Sequence, residues 1–282
     1  MCYMKKILLI ALDLDGTLLD SKKCLSRRNE EALMECMRHG IEIVPCTGRL
    51  WQGVPDFIRN LPGIRYAITV NGAVIEDVQK HQVLDERKMS WKQAAELLKQ
   101  AAGFQTMYDV YVEGKGFGES RFMDHMERYG ISPELQKMIR STRRMVPDVI
   151  EEITRLAMPV EKINFFFGDP EERIHVRKSL LERGDVIVSA SFSNNLEINA
   201  PGAEKGKALE RLAKYLGIEM PQTMGFGDGE NDISLIRRAG IGVAMGNAEE
   251  CLKAEADYIT VTNDDDGVAA VLEKILQQSE LQ

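Results

Sequence analysis

The sequence has no excess of positive charge. Its 36 Lys and Arg against 44 Asp and Glu give a formal net charge of -8, which argues against nucleic acid or an anionic membrane as the main partner. Paired cysteines are also missing: Cys2, Cys24, Cys36, Cys46 and Cys251 are odd in number and contain no Cys-x-x-Cys. Neither a disulfide framework nor a zinc site is indicated, and a reducing cytoplasm is the expected setting. No apolar run is long enough to span a bilayer, and the run after Lys5-Lys6 meets Asp13 too soon for a signal peptide. Met1 and Met4 both remain possible starts. No internal repeat or low-complexity segment stands out. What is left is a chain of 282 residues, 44% hydrophobic and 28% charged, of ordinary soluble composition and long enough for one large domain or two modest ones. Its acidity sets a condition. An anionic ligand is repelled at long range, so any phosphate site needs positive charge close by.

Against this background one stretch carries unusual information. The apolar run Ile7-Leu8-Leu9-Ile10-Ala11-Leu12 has the length of a buried strand and ends in Asp13-Leu14-Asp15-Gly16-Thr17. An isolated Asp-x-Asp-Gly is often a surface turn. Following a strand, the same residues lie where open α/β sheets bind ligands, beyond the carboxyl ends of the strands. Two acids so close repel unless a cation, a proton or a turn manages the charge, and magnesium, a hard cation that prefers oxygen, is the natural guest.

Further along, Ser26 is placed to cap a helix that runs through Ala32, Leu33 and Met37 to Gly40, and Ile41–Cys46 reads as a second strand. Strand, helix and strand with short connections make a βαβ unit and hence a parallel sheet. A third strand, Tyr66–Val70, ends in Asn71-Gly72-Ala73. The pattern resumes with a helix at Lys205–Leu216, a strand at Thr223–Phe226, a helix at Glu230–Ala239, a strand at Ile241–Ala244, a helix at Ala248–Ala254, a strand at Tyr258–Thr260 and a last helix from Asp265. Residues 84–192 differ. There, helices at Trp91–Ala101 and Glu171–Arg183 alternate with half-apolar strands at Met107–Val112 and Lys162–Phe167. Val186–Ala190 either pairs with Leu196–Ile198 or the latter returns to the core. The expected architecture is a doubly wound α/β core from residues 1–83 and 193–282, with an inserted α+β domain at 84–192. Glu76–Leu84 and Asn194–Gly202 are the polar, turn-rich crossings.

Four polar sites recur at strand ends or helix starts: Asp13 with Asp15, then Thr47-Gly48-Arg49, Lys205-Gly206, and Gly227-Asp228-Gly229-Glu230-Asn231-Asp232. Thr47 offers a hydroxyl and, with Gly48, backbone N–H donors for a phosphate. Arg49 reads as a surface or supporting residue rather than a phosphate ligand. Lys205, beside a helix N-terminus, is suited to an anion, and Asp228 and Asp232, four apart, are able to face one metal. Each piece alone has an ordinary reading as a cap, a turn or a solvated lysine.

In order, the four sites resemble the motifs of the haloacid dehalogenase-like phosphohydrolases, and the resemblance covers both halves of the core. The α/β insert, Asn71-Gly72-Ala73 and the Gly-Asp-Gly-Glu-Asn-Asp form resemble the Cof-type (IIB) subgroup of sugar-phosphate phosphatases, whose C2 cap the insert matches. The resemblance implies that Asp13 is the nucleophile, passing through an aspartyl phosphate, and that Asp15 is the general acid and base. It implies magnesium held by Asp13, the backbone carbonyl of Asp15, Asp228 and Asp232, and phosphate held by Thr47, Gly48, Lys205 and Asn231. The implied substrate is a small phosphorylated metabolite. Two rivals stay open. One is a phosphomutase, for which Arg140, Arg143 and Arg144 offer a basic cluster; the other is a phosphosugar sensor without catalysis. Phe117, Tyr108, His125 and Arg121 are candidates for contact with the substrate.

Overall fold

In the computed structural model, which describes residues 6–279, the apolar run forms strand β1 (Leu9–Leu12), buried along its whole length. Cys2 and the alternative starts Met1 and Met4 lie outside the described residues. Ser26 caps the helix Arg27–Arg38 by accepting from the Asn29 N–H. Asn29, Ala32, Leu33 and Cys36 recur at one-face helical spacing and are the helix's buried residues. β2 (Glu42–Pro45) then runs parallel to β1, pairing Leu9 with Glu42 through Leu12 with Pro45. β3 (Tyr66–Thr69) joins β2 through one parallel bridge, Cys46 to Ile68. It is followed by the antiparallel strands β4 (Val74–Asp77) and β5 (Gln82–Glu86). Glu76–Leu84, expected as a crossing, is therefore largely a hairpin. Asp77 closes its turn by accepting from the Lys80 N–H at 3.0 Å and pairing with Arg65 at 3.1 Å.

A second compact unit spans residues 87–203. Its strands are β6 (Thr106–Val112), β7 (Lys115–Glu119), β8 (Arg143–Val146), β9 (Lys162–Phe167), β10 (Ile187–Ser189) and β11 (Asn195–Asn199). They form one sheet in the order β10-β11-β9-β6-β7-β8, antiparallel except for β7 with β8. The helices Trp91–Ala101 and Pro170–Arg183 fall where the sequence placed them. Pro133–Thr142 and Val149–Leu156, capped by Ser132 and Asp148, were not foreseen. Residues 193–203, expected in the core, belong to this unit because β11 pairs with both β10 and β9.

The two faces of this sheet differ sharply. Tyr108, Val110, Ile163, Phe165, Leu196 and Ile198 pack into an apolar cluster. On alternate positions Asp109, Lys162, Asn164 and Glu197 are buried polar groups. Arg143 joins them, its guanidinium 3.0 Å from Asp109 and 2.6 Å from the Tyr111 hydroxyl. The expected basic cluster is thus dispersed. Arg143 is buried in an ion pair, Arg144 is exposed on the strand's other side, and Arg140 donates to the Met123 carbonyl. Of the proposed substrate-contacting residues, Tyr108 and Phe117 are buried, Arg121 is bound to Glu119 and Tyr108, and His125 is half exposed.

The chain returns to the first unit, residues 1–86 and 204–282, through β12 (Thr223–Gly227), β13 (Ile241–Ala244) and β14 (Tyr258–Ile259). The parallel sheet reads β14-β13-β12-β1-β2, so β1 is flanked on both sides. The expected helix Glu230–Ala239 begins as a tight turn, Glu230–Asp232, before the helix Ile233–Arg238. Among the described residues no helix is long and apolar enough to cross a membrane.

Removing one partner of a buried ion pair strands the other charge. Asp109→Ala is expected to cost the protein about 3–5 kcal/mol, read as a lower urea midpoint. Arg155→Ala, at an exposed pair with Glu152, should leave the midpoint in place. Equal, small shifts for both would show that Asp109 does not stabilise a buried Arg143.

Candidate active site

The carboxyl end of β1 is tied to β12 one residue beyond the strand, where the Asp13 N–H donates to the Phe226 carbonyl at 3.1 Å. The chain then turns at Gly16, whose φ of +85° and closeness to Asp228 both require glycine, because a Cβ there would lie 2.3 Å from Asp228 Oδ2. Thr17 follows, its hydroxyl donating to Asp228 Oδ1 at 2.8 Å. The first carboxylate motif and the loop after β12 therefore meet directly. In that loop Asp232 Oδ2 accepts from the N–H groups of Asp228 and Gly229 at 3.0 and 3.1 Å. Its other oxygen is left for Lys205.

Lys205 is fully buried, and its Nζ lies 2.6 Å from both Asp13 Oδ1 and Asp232 Oδ1. Burial disfavours the ammonium, but the two carboxylates outweigh it and hold the lysine charged, well above its ordinary range. Asp13, Asp228 and Asp232 each bring a carboxylate oxygen within 4.8 Å of the others. Burial pushes Asp13 well up, against the pull of Lys205 and with the push of Asp232 and Asp228. Burial, then Asp232, pushes Asp228 up to about 7. Three acids and one ammonium leave an excess of negative charge among hard oxygen donors. That donor set fits a divalent cation of the magnesium type.

Asp15 points to different partners. Arg49 grips its carboxylate with two nitrogens, each at 2.6 Å, and Lys23 adds a contact at 2.9 Å. Burial would raise this acid, but Arg49 and Lys23 prevail and hold it below the usual carboxylate range. Arg49, expected as a surface or supporting residue, takes the supporting place at Asp15, and Thr17 also belongs to the site. The signal for Thr17 was its place inside the first motif. Nothing in the linear order pairs Arg49 or Lys23 with Asp15.

Thr47 is buried beyond β2, its N–H donating to the Ile68 carbonyl and its hydroxyl accepting from the Arg49 N–H at 3.2 Å. Gly48 follows it, partly exposed. Asn231 lies in the loop after β12 and donates to Asn71 Oδ1 at 3.4 Å. The structure brings Asp13, Asp228, Asp232 and Lys205 into one cluster. Thr47 and Asn231 stand on loops at either side of β1. Cys46, next to Thr47, is fully buried and its thiol is pushed far up by burial, as expected of a small apolar filler.

Known proteins resemble the chain over nearly its whole length. Residues 10–272 match the haloacid dehalogenase-like hydrolases. Phosphatase YwpJ of Bacillus subtilis is 33% identical, with 95% of this chain and 99% of the relative aligned. The 5-amino-6-(5-phospho-D-ribitylamino)uracil phosphatase YcsE of Bacillus subtilis is 32% identical, with 94% of each chain aligned. Among solved structures, a haloacid dehalogenase-like hydrolase from B. subtilis has a TM-score of 0.84 at 32% identity, covering 95% of this chain and 99% of its own. The HAD subclass IIB sugar phosphatase BT4131 has a TM-score of 0.79 at 25% identity, covering 95% and 98%. With its four motifs, its parallel core and its inserted antiparallel unit, the chain belongs to the haloacid dehalogenase-like hydrolases, as a phosphatase of the Cof-type subgroup.

Proposed function

We propose that the protein is a magnesium-dependent phosphatase of small phosphate monoesters, sugar phosphates foremost, acting through an aspartyl phosphate on Asp13. The observation that carries this reading is the buried cluster in which Lys205 bridges Asp13 and Asp232 at 2.6 Å, with Asp228 beside them. Asp13 attacks phosphorus, forming its own P–O bond as the ester P–O bond breaks. Lys205 opposes the burial that raises Asp13 and carries the local positive charge that the acidic chain otherwise lacks. Asp228, Asp232, Asp13 and the backbone carbonyl of Asp15 would hold the magnesium, which when bound supplies charge neutralisation and alignment at the phosphoryl oxygens. Thr47, Gly48 and Asn231 are assigned to the remaining phosphoryl oxygens.

Asp15 has two tasks in this scheme. It gives a proton to the departing alkoxide and then takes one from the water that cleaves the aspartyl phosphate. Its grip by Arg49 and Lys23 favours the ionised form, which suits the second task. For the first, that grip must loosen. The substrates named for the relatives, a phosphorylated ribitylaminouracil and a sugar phosphate, support a polyol-like monoester. The mutase reading loses its support in the dispersal of Arg140, Arg143 and Arg144, and the intact four-site cluster disfavours a sensor.

Asp13→Asn is expected to lower phosphate release by roughly 10⁴-fold or more while the far-UV spectrum and melting temperature hold. Residual turnover near the parent level would defeat the nucleophile assignment. In a single-turnover measurement of leaving-group release, which precedes hydrolysis of the aspartyl phosphate, Asp15→Asn should lose about 10²–10⁴-fold with sugar phosphates but far less with p-nitrophenyl phosphate, whose leaving group needs no proton. Equal losses on both would remove the acid role.

The cation has a signature separate from activity. An acid whose folded pKa is raised binds more protons folded than unfolded, so its contribution to stability falls as pH rises between the two values. For Asp228 that window runs from 3.8 to about 7. In chelator the melting temperature should therefore fall as pH rises toward neutrality. Saturating magnesium should restore it most at the alkaline end of the window, and Asp228→Asn should lose most of both effects. A melting temperature indifferent to magnesium at every pH would reject the cation site.

A further inference from the structure

The segment between β3 and β4 takes no part in the scheme above, yet three successive residues of its backbone have positive φ. Val70, Asn71 and Gly72 have φ of 54°, 61° and 98° in succession. A β-branched residue seldom adopts a left-handed conformation, and such a conformation persists only where the surroundings impose it.

Those surroundings are the loops that carry three of the four motifs. The Asn71 N–H donates to the Thr47 carbonyl and the Val70 N–H to the Arg49 carbonyl, both at 3.0 Å. Gly72 lies against the start of the Lys205 helix, where a Cβ would come within 2.6 Å of the Glu204 carbonyl oxygen. The Gly72 carbonyl accepts from Arg211 of the same helix at 3.0 Å. Asn71, 3% exposed, turns its side-chain oxygen to the Asn231 amide at 3.4 Å. Three residues therefore touch the Thr47–Arg49 turn, the Lys205 helix and the Asn231 loop together.

We propose that Asn71 is a positioning residue: its left-handed backbone fixes the Thr47 turn while its side-chain oxygen orients the Asn231 amide for the phosphoryl group. An amide is free to flip, and a donor to phosphate must present nitrogen rather than oxygen. The acceptor at Asn71 selects that orientation, because the Asn231 nitrogen is then shared between Asn71 and the ligand while its oxygen is turned elsewhere. The left-handed φ is what places this acceptor, since Asn tolerates that region and supplies the amide as well. The inference rests on the phosphatase reading, in which Asn231 meets phosphate.

The test is a double-mutant cycle of Asn71→Gly, Asn231→Ala and the pair. Glycine keeps the left-handed backbone and deletes only the amide. The readouts are the dissociation constant of inorganic phosphate in magnesium, kcat and KM on a phosphate monoester, and the melting temperature. Each single change should weaken phosphate binding about tenfold, and the double should lose about tenfold too, because Asn71 acts through Asn231. Melting temperatures should stay close to the parent's. A hundredfold loss in the double, or a loss in Asn71→Gly that follows a fall in melting temperature, would overturn the proposal. If the unaltered protein binds phosphate without turnover, the phosphatase reading falls and the cycle on binding still decides Asn71. If it neither binds nor turns over, both fall.

Discussion

The buried ammonium of Lys205 is the interaction on which the rest of the site depends. A helix N-terminus is the wrong end for a cation, since the dipole there is positive, and a fully buried ammonium without partners would be costly. Both penalties are met by the same two carboxylates, Asp13 and Asp232, each 2.6 Å from Nζ. The approach is demanding elsewhere as well. A Cβ on Gly206 would lie 1.9 Å from the Ser234 carbonyl oxygen, so the Lys205 helix packs against the helix Ile233–Arg238 at a distance only glycine permits. Strand, loop and helix geometry are thus set so that one charge can sit between two others.

The same arrangement gives the two acids of the first motif opposite environments. Burial raises Asp13, and Arg49 with Lys23 lowers Asp15. Paired acids whose environments push their pKa values apart commonly divide their roles. Under the roles proposed for them, the order in the free protein is the reverse of what turnover requires, because the nucleophile must be ionised and the acid must carry a proton. Lys205 already supplies part of the correction at Asp13. The correction at Asp15 has to come from weakening a two-nitrogen grip, a change that ligand binding is able to drive only if it competes for Arg49 or Lys23.

How much of this was legible in the sequence follows from which signals are local. A buried strand ending in carboxylates announces Asp13 locally, whereas Lys205, Asp228 and Asp232 each read alone as a solvated lysine or a cap and joined it only through the resemblance of the four ordered sites to the family's motifs. Arg49 was left between a surface and a supporting residue because the Asp15 it holds lies 34 residues away and only the fold joins them. The boundary at 193 failed for a related reason. Asn195-Leu-Glu-Ile-Asn199 has the polar alternation of a turn-rich crossing, but its polar residues are buried on the inner face of a sheet. Periodicity reports that alternate residues differ; it does not report which face is covered. The left-handed run at Val70–Gly72 was invisible for a deeper reason, since valine gives no sign that its backbone is forced.

Buried charge is balanced differently in the two units. Its buried cations are matched one for one: Arg143 with Asp109 at 3.0 Å, and Lys162 with Glu197 at 3.3 Å. Lys88, largely buried, faces Glu161 and Glu113 at 3.5 Å. In the first unit, by contrast, one buried lysine faces three acids, an imbalance that bound protons or a cation must settle.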